Sequence, residues 1–208
     1  MPLTPELTRA FWAHMQTRFD VSVEEKNDSL AMQAIATLLD ALSVQERDRF
    51  MKDFVTTIVT VDATVYVPFE IGVEVVDGNV RWPLWNQCRV AVHECQHAVQ
   101  ARREGWVAFD SKYLSSGSYR AGYEAEAFGC DLEMEFWRQG AAFDLATFVQ
   151  ERPLVLKGYN CSEENIEQAR AMLAVRAGVV AQGVVETEAA IVAIDWFENH
   201  VPDVRLVQ

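Results

Sequence analysis

His93-Glu94-Cys95-Gln96-His97 places two of the chain's four histidines at the spacing H-E-x-x-H. On an α-helix, residues four apart lie one above the other, so both imidazoles would point the same way. Two ring nitrogens so placed can grip one Zn²⁺ at about 2.0–2.1 Å. Glu94 then stands beside the metal, where it can take a proton from water. The motif asks for three things around it: a helix, a third ligand downstream and an open fourth metal position.

The flanking residues predict the helix. Pro83 suits a first helical position, Leu84 to Glu104 contains neither Pro nor Gly, and Gly105 supplies a stop. Arg102 and Arg103 fall in the last turn, where cations suit the negative end of the helix dipole. Leu84, Cys88, Ala91, Val92, Cys95 and Val99 recur at the spacing of a buried helical face. Cys95, two residues from each motif histidine, points away from the metal side.

A second helix is expected from an N-cap at Ser118 to a stop at Gly140. Tyr119, Tyr123, Ala127, Cys130, Met134 and Trp137 mark one packed face, and Glu124, Phe128, Asp131 and Glu135 a neighbouring stripe. A carboxylate from this helix, crossing the first, would complete a two-histidine, one-glutamate site. Glu124 and Glu126 are both candidates.

On His93-Glu94-x-x-His97 and the segment Tyr123-Glu124-Ala125-Glu126-Ala127, the chain resembles the gluzincin zinc metallopeptidases over roughly residues 56 to 140. In several such families the ligand glutamate opens an E-x-x-A pattern, which Glu124 and Ala127 match, so the resemblance favours Glu124 as third ligand. An aspartate often follows the alanine there; this chain has Phe128, and Asp131 one turn on is the candidate to orient a ligating histidine. The resemblance implies hydrolysis of a peptide or protein substrate, with Zn²⁺ on His93, His97 and Glu124 and with Glu94 as general base. A further donor to the oxyanion would come from Tyr119, Tyr123, Arg120 or Tyr113, the last in a preceding loop; Tyr123 is the one chosen. Peptide deformylase shares H-E-x-x-H, but its cysteine ligand in a glycine-rich upstream motif has no counterpart here.

Upstream, residues 56–72 are rich in β-branched and aromatic residues, with a turn at Asp62-Ala63 and Pro68 at a strand end. Residues 73–80 contain Asp77-Gly78, a second turn signal. In gluzincins a small sheet lies beside the metal helix and its edge strand holds an extended peptide.

The rest reads as helical packing: a helix from Thr4-Pro5-Glu6 carrying Leu7, Phe11, Met15 and Phe19, a second capped by Asp28 or Ser29 and running through Leu42, a third from Ser43 to about Phe54, then Phe143–Glu151, Ser162 to about Ala177, and Val184–Asn199. His14 and His200 are read as ordinary surface or helix-end residues. The fold class expected is α+β, mostly α-helical, with a zincin-like core. It is expected as one domain over 1–208: N-terminal helices to 55, a catalytic core over 56–140, and C-terminal helices over 141–208.

The chain has 208 residues, half of them apolar, enough for a sizeable core. A net charge of −13 argues against nucleic acid or an anionic membrane as partner. No stretch qualifies as membrane-spanning and the N-terminus lacks signal-peptide character, so a cytoplasmic location is expected. The four cysteines fall at no zinc-finger spacing. Against the peptidase stands one alternative, a non-catalytic component whose metal staples a zincin-like fold or an assembly interface.

Overall fold

A computed structural model describes residues 2–41, 47–53, 55–59, 63–77 and 80–206. Its elements run α1 (Pro5–Phe19), β1 (Val21–Glu25), α2 (Leu30–Ala41), α3 (Arg47–Asp53), β2 (Thr56–Val59), β3 (Ala63–Val67), β4 (Val75–Asp77), β5 (Val80–Trp82), α4 (Leu84–Glu104), α5 (Trp106–Ser115), α6 (Gly117–Gln139), α7 (Leu145–Glu151), α8 (Glu163–Val180) and α9 (Glu188–His200). The chain is thus α+β and mostly helical. Short 3₁₀ turns follow α6, α7 and α9, and the longest spans Arg152–Tyr159.

Local chemistry explains the helix ends. Thr4 Oγ1 caps α1 by accepting from Leu7 N, with Pro5 in the first turn, and Ser29 Oγ does the same for Met32 N at α2. Ser162 and Asn165 form a reciprocal capping box that starts α8. Pro83 is the N-cap of α4 rather than its first helical residue, and the helix ends at Gly105 with φ +87°. The cap of α6 is Ser116, not Ser118: Ser116 Oγ accepts from Tyr119 N, while Ser118 sits inside the first turn and bonds Gln168.

Two small sheets lie before α4. The three-stranded one has the order β1-β3-β2, with β1 parallel to β3 (Val21 opposite Ala63) and β2 antiparallel to it (Thr56 opposite Tyr66). The other is the hairpin β4-β5, with Val75 opposite Trp82. β3 stops before Pro68, as expected of a residue without a ladder donor. The expected helix start at Ser43, and Asp62 and Gly78 of the two expected turns, lie outside the described residues.

Helix α4 is the axle of the structure, packed on α1, α5, α6, α9 and β2. Its Cys88, Ala91, Val92, Cys95 and Ala98 join Phe11, Trp12, Met15 and Phe19 of α1 and Ala189, Ala193 and Phe197 of α9 in the largest core cluster. Phe11 stacks on Phe197 with ring centroids 4.7 Å apart. A second cluster sets Ala121, Ala125, Phe128 and Leu132 of α6 against Ile166, Ala169 and Leu173 of α8. All four cysteines are free, and three are core residues. No described helix is long and apolar enough to cross a membrane.

Candidate metal centre

A helix buried on nearly every side must find partners for each polar group it carries. Five of α4's buried side chains after Val92 are polar: His93, Glu94, Gln96, His97 and Gln100. Their partners come largely from α6, which α4 meets in opposite directions, rung by rung. Trp85 Nε1 donates to Glu135 at 2.9 Å, and Arg89 lies 3.4 Å from Asp131 and 3.5 Å from Glu135. His93 faces Asp131 and Glu124, His97 faces Glu124, and Gln100 Nε2 donates to the Tyr123 carbonyl. The stripe 89-93-97-100 therefore zips onto 124-128-131-135 at helical spacing on both sides.

At the centre, His93 Nε2 lies 3.4 Å from Glu124 Oε2 and His97 Nε2 lies 3.5 Å from Glu124 Oε1. These separations are long for N–H···O hydrogen bonds. The His93 Nε2–Glu124 Oε2 separation matches a shared cation instead: tetrahedral bonds of about 2.0–2.1 Å set ligand atoms about 3.3 Å apart. One ligand atom from each of His93, His97 and Glu124 lies within 4.8 Å of the others. Glu124 Oε2 is buried with no hydrogen-bond partner among the described residues, as an atom reserved for a metal would be. The residues present fit a divalent ion.

Of the other atoms of these ligands, His97 Nδ1 and Glu124 Oε1 are hydrogen-bonded, while His93 Nδ1 faces a carboxylate without a hydrogen bond. His97 Nδ1 is 2.8 Å from Gln100 Oε1, and since Gln100 Nε2 is already donating to a carbonyl, the histidine must be the donor. The ring is thereby fixed with Nε2 towards Glu124. His93 Nδ1 lies 3.4 Å from Asp131 Oδ2, and Asp131 is itself clamped by Arg152 at 2.7 Å and Arg89 at 3.4 Å. Glu124 Oε1 accepts from the Tyr113 hydroxyl at 2.5 Å.

Charges follow the geometry. Burial works against an imidazolium at His93, but Asp131, Glu124 and Glu94 outweigh it and lift the ring to about 10. Burial likewise opposes the charge on Glu124, yet His97 and His93, with the Tyr113 hydrogen bond, hold it down at about 2. Asp131 stays well below the usual carboxylate range because Arg89, Arg152 and His93 overcome its burial. Burial, then the Glu124 charge, push the Tyr113 phenol far above its ordinary value, so it remains a donor. Glu94 is buried, and its charge is among those acting on His93, Tyr113 and Tyr159.

The structure thus brings together His93, His97 and Glu124, with the Glu94 charge near enough to act on His93. It does not bring Glu126, whose carboxylate is taken by Gln96 at 2.8 Å and by both Arg103 terminal nitrogens. Nor does it bring the Tyr123 hydroxyl, which donates to Glu104 Oε2 at 2.6 Å. Neighbours on a helix point about 100° apart, so a side chain adjacent to Glu124 faces elsewhere. Tyr119 is 52% exposed and Arg120 binds the carbonyls of Tyr159 and Leu114. The tyrosine at the centre is Tyr113, and it lies on helix α5 rather than in a loop. Gln100, Arg89 and Arg152 were missed as well; the first two share the histidines' helical stripe, which was the available signal.

No family model, curated protein or solved structure matches the chain.

Proposed function

We propose that the chain is a zinc-dependent metallopeptidase of gluzincin type, with a zincin-like core formed by α4, α6 and the β1-β3-β2 sheet. One observation carries the reading: His93, His97 and Glu124 converge within 4.8 Å, and the acid of the H-E-x-x-H pattern is buried, with its charge acting on His93. Bound there, Zn²⁺ would supply Lewis acidity, lowering the pKa of water to about 7 and polarising a carbonyl oxygen.

The chain's own residues do the rest. Glu94 takes the proton of the attacking water and returns it to the leaving amine as the peptide C–N bond breaks. Gln100 holds the His97 imidazole by a hydrogen bond, and the clamped Asp131 carboxylate faces His93 Nδ1 at 3.4 Å. Strand β2, at the edge of its sheet and packed on α4, supports an extended peptide through its outer backbone groups. Walls of Phe109, Tyr113 and Phe128, with ring centroids 5.5–6.3 Å from His93 or His97, keep water other than the reactant away.

Depth favours a second reading, a metal that staples the fold without catalysis: His93, Glu94, His97 and Glu124 are only 7%, 7%, 6% and 3% exposed. Glu94→Gln separates the two. The peptidase reading expects the variant to keep its metal and lose cleavage of a peptide library that the wild type cleaves. A metal-loaded wild type that cleaves nothing contradicts it.

A further inference from the structure

Glu124 presents its two oxygens to different surroundings. Oε1 receives the Tyr113 hydroxyl at 2.5 Å, while Oε2 is buried, unpaired among the described residues and 3.4 Å from His93 Nε2. We infer that Tyr113 is a positioning residue for Glu124: its hydroxyl occupies Oε1 and leaves Oε2 as the single oxygen offered to a metal ion. The inference rests on the metal-centre reading above and goes beyond it, because it assigns how the carboxylate binds and which residue decides that.

Helix α5 exists in a form that makes this possible. It restarts the chain after Gly105, whose φ of +87° turns α5 out of line with α4 and back across the centre. Phe109 is buried against His97 and Tyr123, with centroids 6.3 and 4.6 Å away. The Tyr113 ring lies nearly parallel to Tyr123 at 6.4 Å, with the Arg120 guanidinium 5.5 Å from its centroid. Arg120 Nη2 also binds the carbonyl of Leu114, the next residue, and Lys112 pairs with Glu104 at 2.5 Å. Tyr113 is therefore held through both of its sequence neighbours and through ring contacts with Tyr123 and Arg120. A carboxylate hydrogen-bonded at one oxygen has fewer ways to rotate, so the entropy lost on binding a metal is smaller.

The test uses the full chain with zinc and with Co²⁺ as a spectroscopic probe. Tyr113→Phe removes only the hydroxyl. It is expected to weaken zinc, measured by chelator competition, by about 10- to 100-fold. It should also shift the position and intensity of the visible Co²⁺ bands, because both Glu124 oxygens become available. Phe197→Leu, buried against Phe11 in the largest core cluster, is the packing control: it lowers the melting temperature of the metal-free protein but leaves the Co²⁺ spectrum unchanged. Tyr113→Phe with wild-type zinc affinity and a wild-type spectrum overturns the inference while leaving the metal centre standing. A wild type that binds neither ion overturns both.

Discussion

Gln100 Oε1 lies 2.8 Å from His97 Nδ1 and fixes that imidazole with Nε2 turned towards Glu124. A hydrogen bond donated to a buried glutamine thus decides which histidine nitrogen is turned towards Glu124. Gln100→Leu removes the acceptor and the side-chain donor to the Tyr123 carbonyl. Zinc affinity should fall about tenfold or more, read by competition with a chelator. Unchanged affinity would show that the ring is oriented by other contacts.

Metal uptake should expel a proton. In the metal-free protein His93 is raised to about 10, above its usual 6.5, so near pH 8 the ring is an imidazolium that must deprotonate to bind. The same shift stabilises the metal-free fold fully below pH 6.5 and is lost as pH rises through about 10. Zinc affinity is therefore expected to climb with pH, up to about tenfold per unit below pH 10. Calorimetry in buffers of different ionisation enthalpy would count the proton, and a buffer-independent enthalpy would refute the release.

Lys26 gives a second pH signal, of opposite sign. It is fully buried, with Nζ donating to the Phe50 carbonyl at 2.9 Å in the last turn of α3. Burial lowers it to about 7 against the opposing pull of Glu94. Between about pH 7 and 10 the unfolded chain holds a proton the folded chain lacks, so stability from this residue rises with pH. Relative to Lys26→Met, the wild type should gain up to about 1.4 kcal/mol per pH unit across that window. Urea melts of the pair at pH 6, 8 and 10 measure it; a constant difference would contradict the shift.

Glu133 tests the frame around the site. It is fully buried on α6 and accepts from Glu186 N, Thr187 N and the Thr187 hydroxyl at the start of α9, with Arg176 at 3.4 Å. Glu133→Ala strips these donors of their acceptor and leaves a cavity. A loss of about 3 kcal/mol is expected by denaturant unfolding, with the metal centre's composition unchanged.

The helix around the motif was legible because its cues are local: no breaker from Leu84 to Glu104, a stop at Gly105 and an apolar face. The choice of Glu124 came from the family resemblance, and its position in the structure agrees. Strand β1 was missed because its Val21-Ser22-Val23 alternation is brief and its partner, β3, lies about forty residues on; such pairing is tertiary. Helix α5 was missed for a different reason: a single residue separates it from α4, so Gly105 read as a stop and not also as a restart. That omission placed Tyr113 in a loop and left Tyr123 as the preferred tyrosine, although its hydroxyl is bonded to Glu104.

The most direct measurement is metal content per chain after equilibration with zinc and removal of the excess, for the wild type and for His97→Ala. The wild type should retain about one zinc per molecule and His97→Ala should lose it. A wild type that retains none, or an alanine variant that retains as much as the wild type, would contradict a metal centre built on His93, His97 and Glu124.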